Sequence, residues 1–314
     1  MRIAIFGSGG VGGYFGARLA AAGNEVHFIA RGKHLAAMRE QGLKVTSALG
    51  NAHIKPVRAT DNPAEIGPVD IVTFAVKLWD TDAAAEQLRP LMAQGGHVIP
   101  FQNGVESIER LKKTLPEESI MGGSAYIGTR ISAPGVIEHT GTMARLRFGA
   151  VRPSQRPAAE RFLRACQEAG IMAELVDDIV LVNWEKFVFL VALSSASTVS
   201  RAPLGVVRSD PELRWAFEQA MRETWRLGRA RGVKLPDDFV EKQLAFAETL
   251  PHEMRPSLLH DLEAGNRLEA PWLCGAVARM SAQAGLDAPV NRTVYAALRP
   301  FVDGSTQFTK IPAR

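Results

Sequence analysis

Lys186 is the residue whose type and position most directly raise the question of chemistry. It stands at the head of a long apolar run, Phe187 to Leu193, in a segment of helical periodicity. Such a lysine is either a surface residue whose stem lies along apolar neighbours or a buried cation with a function. The helical period alone does not choose between these interpretations. Near a dinucleotide, the function would be to polarise a carbonyl and donate a proton to its oxygen as hydride arrives.

Two serines and one carboxylate are further polar candidates. Ser194 and Ser197 follow Lys186 by eight and eleven positions, which places them within about 80° of it around a helix. Glu269 lies in the segment 267–272, Arg-Leu-Glu-Ala-Pro-Trp. Instead of a functional group, Glu269 could be a solvated carboxylate at a helix start, which the helix dipole favours.

A glycine-rich stretch near the start of the chain indicates a cofactor. Residues 2–6 are mostly apolar and β-compatible, and they run directly into Gly7-Ser8-Gly9-Gly10-Val11-Gly12-Gly13. A strand, a G-x-G-x-x-G pattern and a helix in that order are typical of dinucleotide binding. Gly7 allows a tight turn, Gly9 leaves room for a pyrophosphate, and Gly12 lets helix and strand approach closely. The helix start then directs N–H groups at the phosphates, and an ordinary glycine-rich turn is the less favoured alternative.

The end of the second predicted strand, Glu25 to Ala30, bears on which dinucleotide binds. Folds that select NAD usually carry an acidic residue about 20 residues after the glycine pattern, and this residue is hydrogen-bonded to the ribose hydroxyls. Here Arg31 occupies that region, with Lys33 and His34 just beyond it. An arginine can pair with a 2′-phosphate that a carboxylate would repel. The sequence therefore favours NADPH over NADH, and a solvated surface arginine is the alternative.

Polar residues also follow two later predicted strands. The apolar run from Val69 to Val76 ends at Lys77, and the strand from His97 to Phe101 leads into Gln102-Asn103-Gly104. Ligands of open α/β sheets bind at the carboxyl ends of strands. We therefore expect a site at Lys77 and Asn103, although Asn103-Gly104 could also form a plain turn.

Composition limits the class of protein. The 314 residues are 46% hydrophobic and 22% charged with a net charge of +4, which suits a globular protein of two domains. Basic residues are scattered, so nucleic acid is not an expected partner. Cys166 and Cys274 have no metal or redox spacing, and we expect no metal. With no signal-peptide pattern and no apolar run of bilayer length, we expect a cytoplasmic protein without a membrane partner.

The order of elements predicts an α/β fold, with a doubly wound sheet of the Rossmann type in residues 1–177 and an all-α domain in residues 178–314. Helices are predicted at 14–22, 81–92 and 155–169, and further strands at 43–46, 52–55 and 171–176. The β-rich region 120–149 holds a Pro134-Gly135 turn and two strand candidates, 136–139 and 145–148. These patterns leave monomer and homodimer open.

Several motifs, in this order along the chain, resemble the ketopantoate reductase family over residues 2–300. They are Gly7 to Gly12, Arg31, Ala75-Val76-Lys77, Gln102-Asn103-Gly104, Trp184-Glu185-Lys186, the segment 255–265 and Pro289-Val290-Asn291. The resemblance implies an NADPH-dependent oxidoreductase that converts a 2-oxo acid to a 2-hydroxy acid. Its first-named reaction is 2-dehydropantoate (ketopantoate) to pantoate, in pantothenate biosynthesis.

The resemblance also implies residue roles. Lys186 would be the general acid for the new hydroxyl, Glu269 would position it, and Ser257 would help to hold the substrate carboxylate. The implied cofactor-binding residues are Gly7, Ser8, Gly9, Gly10, Val11, Gly12, Arg31, Lys77 and Asn103. The implied substrate-binding residues are Asn103, Lys186, Ser194 and Ser257.

Some positions depart from the family's pattern. Asparagines are usual four and eight positions past the lysine and near the next Pro-x-Gly segment, where this chain has Leu190, Ser194 and Leu204. Ala270 stands where an aspartate often follows the glutamate. Because leucine cannot hydrogen-bond a hydroxyl or carboxylate, a more apolar 2-oxo acid or carbonyl compound is an alternative substrate. From another class, a non-catalytic NADP(H)-sensing regulator is an alternative, which the retained lysine and glutamate disfavour.

Overall fold

A computed structural model describes residues 1–304 and divides into two compact units between Val182 and Asn183. The predicted domain boundary, between residues 177 and 178, precedes this division by five residues. It falls just before the helix Ile179–Ser200, which continues from one unit into the other. The limits of the functional domains stay a prediction.

The first unit alternates strands and helices. Its strands are β1 (Arg2–Phe6), β2 (Glu25–Ile29), β3 (Leu43–Thr46), β4 (Ala52–Ile54), β5 (Arg58–Thr60), β6 (Ile71–Phe74), β7 (His97–Pro100), β8 (Gly122–Ala133), β9 (Val136–Gly149) and β10 (Met172–Leu175). Its α-helices are α1 (Gly10–Ala21), α2 (Gly32–Gln41), α3 (Thr81–Glu86), α4 (Arg89–Met92), α5 (Ser107–Leu111) and α6 (Arg156–Glu168). Single 3-10 turns occupy Pro63–Glu65, Leu78–Asp80, Glu117–Ser119 and Pro153–Gln155.

A five-stranded parallel sheet in the order β5-β2-β1-β6-β7 forms the centre of this unit. Successive side chains of a strand point to opposite faces, and Ile3 and Ile5 of β1 lie in one buried apolar cluster while Ala4 and Phe6 lie in another. Both faces of the sheet are therefore covered, as parallel sheets require. The predicted α/β doubly wound domain is confirmed.

A second sheet joins β10, β9, β3 and β4 in that order, and β8 pairs antiparallel with β9. Pro134 and Gly135 connect β8 to β9, with Gly135 at a φ of +78°, which suits glycine at this turn position. The prediction of two short strands at 136–139 and 145–148 was wrong, because β9 is one strand of 14 residues. The register of the β8–β9 pair shifts between Ile127 and Gly128 of β8, and the pairing of β9 with β8 continues on both sides of Gly141.

Helix α1 lies between the two sheets, and its glycines permit the close approach. A Cβ on Gly12 would lie 2.9 Å from the Ile5 side chain of the first sheet. A Cβ on Gly13 would lie 2.8 Å from the Ile137 side chain of the second sheet. Carbon atoms in contact normally stand about 3.5–4.0 Å apart, so these positions have no room for a side chain.

The predicted helix from Thr81 to Met92 is interrupted. Helix α3 ends at Glu86 and α4 begins at Arg89. Pro90 has no N–H to donate to the carbonyl of Glu86, and its ring disfavours a helical conformation in the residue before it. Pro90 therefore accounts for the break, and a prediction from helical periodicity alone does not take it into account.

The second unit is helical throughout its described elements, which confirms the predicted all-α domain. Helix α7 (Ile179–Ser200) leads into α8 (Leu204–Ser209), α9 (Pro211–Ala230), α10 (Phe239–Thr249), α11 (Ser257–Glu263), α12 (Cys274–Gln283) and α13 (Pro289–Leu298), with 3-10 turns at Ala270–Trp272 and Arg299–Phe301. The ring of Phe189 on α7 packs edge-on against Phe217 of α9 and Phe246 of α10, with centroids 6.0 and 5.7 Å away. Aromatic pairs of this geometry add to the energy of apolar burial.

Helix α7 is long and apolar enough to cross a membrane by length and composition alone. The expectation that no apolar stretch reaches that length was therefore incorrect. However, 61% of its most apolar window is buried inside the protein. A helix that is apolar on all sides is equally typical of a protein core.

The carboxylate of Glu223 holds two helices of the second unit together. It is buried on α9 and accepts hydrogen bonds from the backbone N–H groups of Val290 (2.8 Å) and Asn291 (2.9 Å) in the first turn of α13. It also accepts one from Nδ2 of Asn291 at 2.7 Å. N–H groups in a first turn have no acceptor within their own helix, so Glu223 serves as the missing cap.

We expect Glu223→Gln to lower the free energy of unfolding by about 1–3 kcal/mol, because the new amide NH₂ would face a backbone donor in a buried place. Urea denaturation at constant pH measures this. Glu218→Gln on the same helix is the control. It removes a half-buried ion pair with Arg222 (2.7 Å) and should cost less than about 1 kcal/mol. Equal losses in the two variants would contradict the capping role.

Candidate active site

The glycine loop combines a fixed backbone with one open position. A Cβ on Gly7, whose φ is +98°, would lie 2.7 Å from the backbone of Ala75 at the end of β6. The loop is therefore held against that strand end. Gly9 precedes the first turn of α1, and nothing lies within 4 Å of its Cβ position. Among the described residues, no side chain caps α1, and its first turn contains no acidic residue.

These features fit a pyrophosphate. The first N–H groups of α1 have no intrahelical acceptors, and the positive end of the helix dipole favours an anion there. Gly9 leaves space for phosphate oxygens to approach the backbone. By contrast, the hydroxyl of Ser8 is buried and donates to the carbonyl of Ile29 at 3.0 Å. Ser8 could thus serve a cofactor through its backbone, whereas its side chain anchors the loop to β2.

His34 fastens the loop from a second direction, a role that the sequence analysis did not assign. Its Nδ1 accepts a hydrogen bond from the N–H of Gly135 (3.0 Å), so its Nε2 carries the proton and donates to the carbonyl of Ser8 (3.0 Å). Burial lowers the pKa of His34, and the bond to Ser8 opposes that shift. The imidazole therefore acts as a neutral bridge from the β8–β9 turn to the loop.

Arg31 lies at the carboxyl end of β2, as predicted, in the position that precedes α2. Its side chain is 76% exposed, and its Nη2 donates to Oδ2 of Asp80 at 2.7 Å. Asp80 ends the 3-10 turn that follows β6. This carboxylate was not predictable from the residues around Arg31, because it comes 49 positions later in the chain.

The ends of β6 and β7 are joined by Gln102, for which the sequence predicted no role of its own. Its buried Nε2 donates to the carbonyl of Val76 and to Oγ1 of Thr81, both at 2.9 Å. This pair of bonds fixes Gln102 beside the end of β6, and the following residue, Asn103, is half-buried. Lys77 is exposed there, with its Nζ 5.6 Å from the ring centre of Trp79.

In the second unit, the charge of Glu269 acts on Lys186 despite 83 positions of separation. Lys186 lies on α7, and Glu269 is buried just before the 3-10 turn Ala270–Trp272. Burial lowers the pKa of Lys186 to about 8, although the negative charge of Glu269 acts to raise it. A lysine with such a pKa is protonated at neutral pH, yet it gives up its proton much more readily than an exposed lysine.

The other candidates of this unit are in different environments. Ser194 and Ser197 are both buried, and neither hydroxyl has a hydrogen-bond partner among the described residues. Leu190 is half-buried one turn beyond Lys186, whereas Leu204 is completely buried. Ser257 is exposed as the first residue of α11.

The predicted site residues thus form two groups. Those for the cofactor lie in the first unit, and those for proton transfer lie in the second together with all the substrate candidates except Asn103. Within residues 1–304, no three His, Cys, Asp or Glu side chains lie close enough to hold a metal ion.

Comparison with known proteins identifies the class of enzyme. Residues 3–153 match the family described as ketopantoate reductase PanE/ApbA, and residues 178–302 match its C-terminal part. The chain belongs to the ketopantoate reductase family. It is an oxidoreductase of a family that uses NAD(P), and this finding disfavours the alternative of a non-catalytic sensor.

Full-length relatives support the assignment. A 2-dehydropantoate 2-reductase of Archaeoglobus fulgidus is 32% identical over 96% of this chain and 98% of its own. YkpB of Bacillus subtilis, named as an uncharacterized oxidoreductase, is 30% identical over 96% of this chain and 99% of its own. The crystal structure of a PanE/ApbA family ketopantoate reductase from Ralstonia eutropha has 31% identity and a TM-score of 0.87, covering 96% of this chain and 98% of its own.

We expect Gly9→Ala and Gly12→Ala to separate binding from packing. Gly9→Ala should change the free energy of unfolding by about 1 kcal/mol or less but weaken NADPH binding at least about tenfold, by filling the space for the pyrophosphate. Gly12→Ala, whose Cβ would overlap the Gly7 carbonyl oxygen, should cost about 3 kcal/mol of stability. Thermal unfolding and fluorescence titration with NADPH measure the two effects. Undiminished NADPH binding by Gly9→Ala would place the pyrophosphate elsewhere.

Proposed function

We propose that this enzyme reduces a 2-oxo acid to a 2-hydroxy acid with NADPH, and that ketopantoate is its substrate and pantoate its product. Membership of the family supports the reaction class, and the name of the Archaeoglobus relative supports the substrate. The observation that carries the proposal is the Lys186–Glu269 pair. It supplies an ammonium group with a pKa of about 8, which suits a general acid that works near neutral pH.

The proton chemistry follows from that pair. NADPH, when bound, supplies the hydride that adds to the carbonyl carbon. Negative charge then develops on the carbonyl oxygen, and Nζ of Lys186 stabilises that charge and donates its proton to form the hydroxyl. General acids work best when their pKa lies near the working pH. Glu269 keeps the pKa of Lys186 from falling further, so that the lysine stays charged before the reaction.

Polar groups are available to hold the substrate. A 2-oxo acid presents a carboxylate next to its ketone, and the amide of Asn103 and the hydroxyl of Ser257 can donate hydrogen bonds to such oxygens. The buried hydroxyl of Ser194 has no partner among the described residues. A buried polar group without a partner is costly, and a polar substrate atom would relieve that cost. In this proposal Asn103, Lys186, Ser194 and Ser257 form the substrate-binding set.

The cofactor proposal depends on Arg31. Its exposed guanidinium at the end of β2 is suited to a charge-assisted contact with a 2′-phosphate. The other proposed contacts are the glycine loop from Gly7 to Gly12, Lys77 and Asn103.

We expect Lys186→Ala to lower kcat for ketopantoate reduction by about 100-fold or more, the usual contribution of a general acid. In the unaltered enzyme, kcat should fall as the pH rises above about 8, because Lys186 then loses the proton that it must donate. Glu269→Gln removes the charge that raises this pKa, so the falling limb should move to lower pH.

Steady-state rates from pH 6 to 10 test these expectations. The control is Glu263→Gln, on helix α11, whose carboxylate pairs with Arg255 and which should leave the profile unchanged. A Lys186→Ala enzyme that keeps its turnover within about tenfold, or about 1.4 kcal/mol of barrier, would exclude the lysine as general acid. A limb that moves to higher pH in Glu269→Gln would exclude the proposed role of the glutamate.

A second candidate function is the same reduction of a more apolar 2-oxo acid. Leu190, half-buried one turn beyond Lys186, favours it because an apolar wall cannot recognise a hydroxyl and rejects apolar analogues only weakly.

We expect Leu190→Asn to raise kcat/KM for ketopantoate by about tenfold relative to 2-oxo acids with larger apolar side chains, since the amide can hydrogen-bond the ketopantoate hydroxyl. Assays with a panel of 2-oxo acids measure the ratio. The control Leu190→Ala removes apolar contact without adding a polar group, and it should not raise the rate with ketopantoate. If the unaltered enzyme already prefers ketopantoate strongly, the second candidate is excluded.

We also propose a cytoplasmic enzyme that acts as a monomer or homodimer. Cys166 and Cys274 are unpaired and buried, and burial raises the pKa of each thiol to about 12. Reduced thiols suit an intracellular compartment.

A further inference from the structure

Arg31 meets a carboxylate at the place where a 2′-phosphate would bind. In the first sheet, β2 and β6 both run parallel to β1, which lies between them. The end of β2 and the segment after β6 therefore emerge at the same carboxyl edge. Nη2 of Arg31 and Oδ2 of Asp80 are 2.7 Å apart, within the range of a charge-assisted hydrogen bond. The Asp80 side chain is about one-third exposed, at 31%, and both groups are therefore within reach of solvent and ligand.

Asp80 has no evident task in its own segment. It precedes α3 (Thr81–Glu86), yet its side chain accepts no capping hydrogen bond from that helix. An exposed ion pair of this kind contributes at most about 1 kcal/mol to stability. The contact with Arg31 is therefore better explained by what it does to a ligand than by what it does for the fold.

The two groups have opposite preferences for the cofactor. In a dinucleotide fold, a carboxylate at the end of the second strand accepts hydrogen bonds from the ribose hydroxyls of NADH, whereas an arginine there accommodates the additional phosphate of NADPH. Arg31 stands at that strand end, and the Asp80 carboxylate reaches it from the segment after β6. Here one residue of each kind is present and the two are paired. The carboxylate takes up part of the guanidinium's donor set. It also places a negative charge beside the doubly charged phosphate.

We propose that Asp80 is a specificity-determining residue that weakens the preference for NADPH that Arg31 confers and so allows NADH to serve as an alternative reductant. This inference rests on the proposed role of Arg31 toward the 2′-phosphate. Asp80 competes with the phosphate for the guanidinium, and it offers acceptor oxygens to the 2′-hydroxyl when NADH is bound.

Direct binding measurements test this without knowledge of the 2-oxo acid. The intrinsic fluorescence of the reduced nicotinamide gives the Kd of NADPH and of NADH for the unaltered enzyme and for Asp80→Asn, Asp80→Glu and Arg31→Ala. We expect Asp80→Asn to tighten NADPH binding about threefold to tenfold, the size of an interaction between a solvent-exposed carboxylate and a dianion. In Asp80→Asn, NADH binding should stay the same or weaken. Asp80→Glu should keep the ratio of the affinities for NADPH and NADH that the unaltered enzyme has.

Salt and a neighbouring carboxylate provide the controls. The gain in NADPH affinity should shrink between about 0.05 and 0.5 M salt, because screening weakens charge interactions between exposed groups. Asp82→Asn is the matched control. Asp82 lies two residues further along and pairs with Arg110 at 2.9 Å. Its neutralisation should leave the ratio of the affinities for NADPH and NADH within about twofold of that of the unaltered enzyme.

The outcomes separate the two proposals. If Arg31→Ala weakens NADPH binding much more than NADH binding while Asp80→Asn leaves their ratio unchanged, Asp80 has no role in selection and the proposed cofactor role of Arg31 stands. If Arg31→Ala weakens both cofactors equally, the 2′-phosphate role and the inference built on it both fail. If Asp82→Asn raises the affinity for NADPH relative to NADH as much as Asp80→Asn does, the specific role of Asp80 is overturned. Neutralising any nearby carboxylate would then have the same effect.

Discussion

The first unit depends on how closely helix α1 approaches two sheets at once. Gly12 and Gly16 face the first sheet, and Gly10 and Gly13 face the second; a Cβ at any of the four would come within 3 Å of a neighbouring atom. Packing on both sides of one helix therefore excludes side chains from most of the glycine-rich stretch. Gly9 is different, since its Cβ position is open. The glycine pattern thus serves packing at most of its positions, and it leaves one open place at the end of a helix dipole for a ligand.

A balance of two opposing effects sets the pKa of Lys186 in the second unit. Burial in an apolar helix disfavours the ammonium of Lys186, and the charge of Glu269 favours it. For the proposed proton transfer, either effect alone would be unhelpful. Full desolvation would leave a neutral amine with no proton to give, and a strong ion pair in water would hold the proton too tightly. Together they give a pKa of about 8, set first by the burial of Lys186 and then by the opposing charge of Glu269.

The sequence predicted the fold class, the order of the first elements and the placement of Arg31, Lys77 and Asn103 at strand ends. These follow from local patterns, in which a strand, a turn and a helix are read within a few residues. Contacts between distant segments were not predictable in this way. The carboxylate of Asp80 reaches Arg31 from another strand end, and β9 continues past Gly141 because β8 pairs with it. The link between Lys186 and Glu269 came from family resemblance, since spacing cannot bring together residues 83 positions apart.

His34 has a consequence for how the chain can vary. Hairpin turns ordinarily tolerate insertions and deletions, because they lie at the surface and few buried groups depend on them. Here the N–H of Gly135 in the β8–β9 turn bonds to Nδ1 of His34, and Nε2 of the same ring bonds to the carbonyl of Ser8. A change in the length of that turn would displace the imidazole and, with it, the backbone of the glycine loop. The length of the β8–β9 turn is therefore constrained by a loop more than a hundred positions away in the sequence. Through His34, a surface hairpin is under the same constraint as the glycine loop.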